Sequence, residues 1–135
     1  MNEKTFPISR SKTGLPVLSE SGGGCTNTGS AQIICNEEGE ALKPLFIPRG
    51  LFNGEHAYFV IKPKMFVVEY SRDRNGYSVN IWQIKEVLQD RVLTTLAFEE
   101  ENGDGNIPEF LRKAVKAAEE KAYDYHCRSP YYILK

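Results

Sequence analysis

The chain has 135 residues, 41% of them hydrophobic and 26% charged, and its formal net charge at pH 7 is −1. A chain of this length buries one hydrophobic core rather than two, and the composition is that of a globular domain, which excludes a disordered or fibrous protein. The near-zero net charge provides no general attraction for nucleic acid or anionic lipid.

Apolar runs in the sequence are short. Residues 57–61 form one of the longer runs, far below the roughly 20 residues that cross a bilayer. The first residues, Met1 to Lys4, lack the apolar region of a secretory signal. We therefore expect a cytoplasmic protein that makes no membrane contact.

Three cysteines, Cys25, Cys35 and Cys127, are spread along the chain without a Cys-x-x-Cys pair. An odd number at wide spacing argues against a disulfide framework and against a closed zinc site. The acidic stretches lack the spacing and the terminal glutamate of a calcium loop, and the histidines are not at ligand spacing. The sequence therefore predicts reduced thiols, no metal site and no cofactor.

In chain order, the first predicted element is a loosely held arm over residues 1–14, which is polar and contains one proline. Residues 15–135 are predicted to form a single domain. That domain begins with an edge strand at 15–18, where proline is tolerated. Residues 19–30, which contain Gly22-Gly23-Gly24, are predicted to form a loop.

The next stretch predicts short strands separated by turns. The apolar run 31–35 and the run 42–47, which contains a proline, predict a hairpin with an edge strand. Residues 56–61 are rich in aromatic and β-branched residues and predict a further strand.

The dipeptide Asn75-Gly76 is the strongest hairpin signal in the chain, because it suits a two-residue type I′ turn. It predicts that strand 65–72 pairs with strand 77–84. Three pairs follow from that turn: Tyr70 with Ile81, Val68 with Gln83, and Glu69 with Trp82. One face is then apolar and belongs to the core: Phe66, Val68, Tyr70, Val79 and Ile81. The other face is mixed, contains Trp82, and is predicted to be partly covered.

The last predicted elements are a strand at 92–98, a solvated turn, and one helix. Asn106 is the predicted N-cap, with Pro108 in the first turn and Glu109 reaching back as in a capping box. Apolar residues at helical spacing form a narrow, alanine-rich stripe: Ile107, Phe110, Leu111, Ala114, Ala118, Ala122 and Tyr125. The helix should end near Cys127, because a proline follows three residues later. Residues 131–134 can add a final edge strand.

About seven short strands followed by one late helix predict an α+β fold. The expected architecture is an antiparallel β-meander, curled into a half-barrel or a small sandwich and closed by the C-terminal amphipathic helix.

The glycine-rich stretch 20–30 is the first candidate site. Three consecutive glycines allow backbone conformations in which successive N–H groups converge on an anion. Neither a Walker nor a Rossmann motif is present. The predicted ligand-binding residues are those of the loop together with a cation beyond the helix: Gly22, Gly23, Gly24, Thr26, Asn27, Thr28 and Arg128. A plain surface loop explains the same composition.

Cys25 is a candidate nucleophile, with His56 or His126 as its base and the glycine-loop amides as oxyanion donors. Such a dyad needs a histidine within hydrogen-bond reach, which the sequence does not determine. As cations at a helix C-terminus, His126 and Arg128 also have a purely structural explanation.

A third candidate is a sheet surface that stacks unpaired bases on aromatic side chains flanked by cations. Its predicted residues are Trp82, Tyr77, Arg72 and Arg74. Lys62 and Lys64 are further cations of this surface, but their turn lies at the opposite end of a strand from Arg72 and Arg74, roughly 25 Å away, which argues against nucleic acid as a partner.

The leading hypothesis is a non-enzymatic binding or interaction module that holds a small anionic ligand or a protein partner. A cysteine-dependent hydrolase or transferase is the alternative, and a single-stranded nucleic-acid binder is the second alternative. The sequence does not determine the oligomeric state.

Overall fold

A computed structural model describes residues 2–11, 13–24, 29–45 and 58–127, with the backbone alone described at 22–24 and 123–127. Within these residues the chain forms ten strands, a short 3₁₀ helix at Glu109–Leu111 and an α-helix, α1, at Arg112–Cys127. The strands are β1 (Glu3–Pro7), β2 (Ser9–Arg10), β3 (Pro16–Ser19), β4 (Ser21–Gly24), β5 (Gly29–Cys35), β6 (Tyr58–Val60), β7 (Phe66–Asp73), β8 (Gly76–Val87), β9 (Arg91–Glu101) and β10 (Asp104–Gly105).

The strands form two antiparallel sheets. The larger sheet has the order β1-β9-β8-β7-β5-β4, with β10 also paired to β9, and the smaller sheet has the order β2-β3-β6. Helix α1 packs on one face of the larger sheet, against β4, β5 and β7. A curled half-barrel sheet with one C-terminal helix confirms the predicted α+β fold.

The larger sheet has a hydrophobic core on each face. On the face toward α1, the helix-side face, the apolar residues of the β7–β8 hairpin are buried as predicted: Phe66, Val68, Tyr70, Val79 and Ile81. On the opposite face, the reverse face, a second core joins the two sheets: Phe6, Leu18, Ile34, Phe59, Ile61, Val67, Ile84 and Val92. The three short strands of the smaller sheet cover only part of the reverse face, since serines elsewhere on that face are exposed.

The β7–β8 hairpin has a different register from the predicted one. Its two-residue turn is Arg74-Asn75, and Asp73 closes it by accepting a hydrogen bond from the Asn75 amide (2.8 Å), as in an Asx turn. The observed pairs are Tyr70 with Val79, Val68 with Ile81, and Glu69 with Asn80. Each partner moves by two residues, so every side chain keeps its predicted face.

A β-bulge in β9 changes which side chains face the helix. Ile81 pairs with Phe98 and Trp82 pairs with Leu96, so Ala97 is the extra residue. The bulge turns Phe98 and Glu100 toward the helix-side face, although Leu96 faces the reverse side. An acidic side chain is thereby placed under α1.

The N-terminal residues, predicted as a loosely held arm, contain β1 and β2. Strand β1 pairs with β9 from Glu3 opposite Thr95 to Pro7 opposite Arg91. Phe6 is buried in the reverse-face core, and the Thr94 hydroxyl donates a hydrogen bond to the Lys4 carbonyl (2.8 Å). One buried side chain holds this edge strand, so its sequence shows no alternation that would predict it.

The glycine-rich stretch also differs from its prediction. Gly22 to Gly24 form most of β4 rather than a loop, with Gly22 opposite Ala31 and Gly24 opposite Gly29. Glycine has little intrinsic preference for a strand, so the pairing with β5 and the packing under α1 override the local signal.

The strand predicted at 42–47 is absent from its described part, residues 42–45. Only isolated bridges occur here, from Ala41 to Cys35 and from Leu45 to Tyr58, and Pro44 cannot donate to a ladder. Residues 46–47 and the strand predicted at 131–134 lie outside the described residues.

The helix begins later than predicted. Asn106 is not the N-cap: its amide donates to the Glu99 carbonyl (3.4 Å), and the first turn is the 3₁₀ helix, which follows Pro108 without a side-chain cap. The predicted stripe is buried at Ile107, Leu111, Ala114, Ala118 and Ala122. Phe110 was predicted in this stripe but is 44% exposed, and its ring packs at an angle against the Phe66 ring, with centroids 6.1 Å apart. The helix ends at Cys127, as predicted.

Candidate ligand-binding site

Several predicted site residues lie outside the described residues. These are Cys25, Thr26, Asn27, Thr28, His56 and Arg128. His126 belongs to α1, where only its backbone is described. The cysteine–histidine dyad and the anion site at the tip of the glycine-rich stretch therefore stay predictions.

Gly22, Gly23 and Gly24 do not form the predicted nest of converging amides. They belong to an extended strand that is paired with β5. Successive N–H groups of a strand point to opposite edges, so three consecutive amides cannot meet at one ligand atom.

The four residues predicted for a nucleic-acid surface are not brought together. Tyr77 and Arg72 pair with each other on the helix-side face, whereas Trp82 lies on the reverse face and Arg74 lies in the turn. The Tyr77 ring stacks on Tyr70, with ring centroids 5.7 Å apart. Strand alternation places residues 77 and 82 on opposite faces of the sheet, and a role of any of the four in nucleic-acid binding stays a prediction.

The reverse face carries a set of polar side chains where the smaller sheet does not cover it. They form two rows that run across the strands at right angles to the chain. The first row contains three serines: Ser30, Ser71 and Ser78. The second row contains a hydroxyl, two amides and a carboxylate: Ser21, Gln32, Glu69 and Asn80. We call these two rows the polar floor.

An ion pair and an indole fix the middle of the polar floor. The Lys4 ammonium donates to Glu69 Oε2 (2.8 Å), and Trp82 Nε1 donates to Glu69 Oε1 (2.6 Å). Lys4 reaches Glu69 across the indole, with its Nζ 5.7 Å from the Trp82 ring. Glu69 is thus held from two sides, which sets its side-chain position before any ligand arrives.

The polar floor lines an open cleft of about 360 Å³. This volume lies within the usual range for small-molecule sites. Lys4 forms one border of the cleft. The next side chains along the strands on this face, Val67 opposite Trp82, are apolar and follow the second polar row. The cleft therefore offers hydrogen-bonding groups on its floor and one charged pair in it.

A second polar cluster, between the sheet and α1, has a structural role. Arg112 donates to both oxygens of Glu100 (2.8 and 3.0 Å), and the Tyr77 hydroxyl donates to Glu100 Oε2 (2.9 Å). The hydrogen bond from Arg112 lowers the pKa of Glu100, although burial of the carboxyl opposes this. Both oxygens are occupied and Glu100 is only 3% exposed, so this cluster joins β8, β9 and α1.

Cys35 is a core residue, as the sequence predicts. It is fully buried in the helix-side core, and burial raises the pKa of its thiol to about 12. A thiol with so high a pKa stays protonated at neutral pH and is a poor nucleophile.

The sequence contains a weak signal for the polar floor. Polar residues alternate with apolar ones at Ser30 and Gln32 in β5, at Glu69 and Ser71 in β7, and at Ser78 and Asn80 in β8. Alternation assigns these residues to a solvent face. Their alignment into rows depends on the strand order and the register, which local patterns do not determine.

Comparison with known proteins does not assign this chain to a family. No family model, no curated protein and no solved structure matches it. None of the described helices has both the length and the hydrophobicity needed to cross a lipid bilayer. Among the described residues, no three His, Cys, Asp or Glu side chains lie together as metal ligands would.

Proposed function

We propose that this chain is a non-enzymatic binding module and that its ligand site is the polar floor. The observation that carries the proposal is the alignment of seven hydrogen-bonding side chains in two cross-strand rows inside an open cleft. The proposed class, a non-enzymatic binding module, is the same as the leading hypothesis from the sequence. The proposed site differs: it lies at the base of the β4–β5 hairpin, whereas the sequence predicted a site at the tip.

Preorganisation supports a binding site over an ordinary solvated face. Glu69 is fixed by Lys4 and Trp82, and its neighbours Gln32 and Asn80 stand on paired strands in the interior of the sheet. A ligand that meets fixed groups loses less free energy to ordering than one that meets mobile surface chains.

The chemistry of the cleft supports binding without catalysis. Its lining contains no cysteine and no histidine among the described residues, and its single carboxylate is engaged by an ammonium and an indole N–H. Both oxygens of Glu69 already accept a hydrogen bond, so taking a proton from a substrate would have to compete with the Lys4 and Trp82 contacts. The cytoplasmic location expected from the sequence fits this proposal, as does the free thiol of Cys35.

The test is a binding screen with a matched pair of variants. Ligand-observed NMR with a mixed library of sugars, polyols, amino acids, nucleosides and organic acids identifies binders, and calorimetry measures their affinity. Asn80→Leu removes a donor and an acceptor from the polar floor at nearly constant volume. Gln83→Leu makes a comparable change on the same strand but on the helix-side face.

We expect Asn80→Leu to weaken binding of any hit about tenfold, since an unpaired polar group in the complex costs roughly 1–3 kcal/mol. Gln83→Leu should bind as the unmodified chain does. Equal affinities in both variants, or a library without a single hit, would refute the proposal.

A further inference from the structure

We propose that the cleft binds a neutral, polyhydroxylated ligand of the saccharide type. This inference rests on the proposed binding function and names the ligand class for the same site. It follows from the charge of the polar floor, from the kinds of hydrogen-bonding group it carries, and from its extent.

The charges in the cleft balance. Lys4 is the one cation and Glu69 the one anion among the lining residues, and their charged atoms are 2.8 Å apart. An anionic ligand would find an ammonium that is already paired and a carboxylate beside it that repels it. A cationic ligand would have to displace the Lys4 ammonium from Glu69. Two further carboxylates, Glu99 and Glu101, lie opposite Asn80 and Ser78 on β9, at the border of the polar floor, and add to the repulsion of an anion.

The hydrogen-bonding groups of the polar floor are mostly of the kind that both donates and accepts. Four are serine hydroxyls, and Gln32 and Asn80 are primary amides. A hydroxyl on the ligand is the natural partner of such groups, because it also donates and accepts. A carboxylate accepts only, so it would leave the amide carbonyl oxygens without partners.

The extent of the polar floor matches a ligand with many hydroxyls. The second row crosses β4, β5, β7 and β8, which at the usual strand separation spans roughly 14 Å. The two rows are about 7 Å apart, since two residues of strand separate them. A disaccharide laid along the rows would contact groups on several strands at once.

Trp82 is a built-in reporter for this site. It is the sole tryptophan in the chain, and its indole N–H donates to the same carboxylate that lies in the polar floor. A ligand that hydrogen-bonds to Glu69 changes the polarity around that N–H. Indole emission should therefore shift as the cleft fills.

The experiment combines an array of immobilised neutral and acidic oligosaccharides with Trp82 fluorescence. Neutral hits are titrated in solution, and inorganic phosphate, citrate and spermidine serve as charged probes. Each titration is repeated at low and high salt, with Gln32→Leu as the site variant and Gln83→Leu as the control. Circular dichroism of both variants checks that they fold.

We expect at least one neutral glycan to shift Trp82 emission saturably, with an affinity that does not depend on salt, because a neutral ligand has no charge to screen. Gln32→Leu should weaken it about tenfold. Salt-dependent binding of a charged probe, lost in Gln32→Leu, would overturn the ligand class but keep the binding module. Binding of neither kind of probe would overturn both.

Discussion

At the scale of single residues, the carboxylate of Glu100 shows how this fold holds a buried charge. The group is almost fully buried and accepts three hydrogen bonds, two of them from Arg112. Removing one partner from such a cluster leaves a desolvated group unpaired, which is the costly outcome for a buried polar atom.

Glu100→Gln should therefore have a pH-dependent cost. The pKa of Glu100 in the folded protein lies below its ordinary value of 4.5, so its stabilising effect is complete above that pH and is lost as the pH falls through the folded-state pKa. Urea denaturation should show a loss of about 1–3 kcal/mol at pH 7, shrinking toward pH 3. Glu99→Gln, on the exposed neighbour, is the control. A loss of constant size at every pH would contradict this assignment.

Gly76 has no room for a side chain in its present surroundings. Its φ is +134°, and a Cβ there would lie 1.8 Å from Asn102 Oδ1, which accepts a hydrogen bond from the Tyr77 amide. Gly14 also has a positive φ, +85°, but nothing lies within 4 Å of its Cβ position. Gly14 is therefore a comparison position that has a positive φ without crowding.

Gly76→Ala should destabilise the protein more than Gly14→Ala. A positive φ alone costs an alanine about 1–2 kcal/mol, and at Gly76 the Asn102 side chain must also move and release the Tyr77 amide. We expect a total of about 3 kcal/mol at Gly76, measured by chemical denaturation. Equal losses of unfolding free energy in the two variants would mean that crowding against Asn102 does not contribute to the destabilisation.

At the scale of elements, β1 connects the N-terminus to both the core and the candidate site. Phe6 fills the reverse-face core, and Lys4, two residues earlier on the same face, supplies the ammonium that holds Glu69. This five-residue strand therefore contributes both to the stability of the fold and to the geometry of the candidate site.

Phe6→Ala should destabilise the protein by about 3 kcal/mol, because truncating a buried phenylalanine loses apolar contact and leaves a cavity. Thr5→Ala, at the exposed neighbour, should change the stability by less than about 0.5 kcal/mol. Thermal unfolding followed by circular dichroism compares the two. If Phe6→Ala unfolds at the temperature of the unmodified chain, β1 does not pack as described.

The elements that the sequence predicts well are those with a strong local pattern. The alternation in residues 66–70 and 79–81 assigns the core face of the hairpin correctly, and the alanine-rich stripe assigns the buried face of α1. The elements that it misses are stabilised by distant partners. β1 has a single buried side chain, and β4 is mostly glycine, so pairing with β9 and β5 forms these strands where propensity does not.

At the scale of the whole molecule, the two faces of the larger sheet have different partners. Helix α1 covers one face, and the smaller sheet covers part of the other. The uncovered part of the reverse face is polar in every strand that crosses it. Apolar residues there would have exposed a patch prone to association, so the polar floor also keeps this surface compatible with water.

The candidate site could not be predicted from the sequence for a related reason. Ser21, Gln32, Glu69 and Asn80 are neighbours only because β4, β5, β7 and β8 pair in one register. A turn predicted one residue too late, at Asn75-Gly76, moves the partner of Glu69 from Asn80 to Trp82. The predicted face of each side chain stays correct despite that error, but the predicted partners across the strands, and with them the polar row, do not.

The most direct test of the account is the location of ligand contacts on the sheet. Heteronuclear NMR spectra of the isotope-labelled chain, recorded during titration with a neutral oligosaccharide found by the array, report which backbone amides respond. The account predicts that the largest shifts fall on Gln32, Glu69, Ser71 and Asn80, together with the indole N–H of Trp82. Shifts confined to α1 or to the helix-side face, with these residues unmoved, would contradict it.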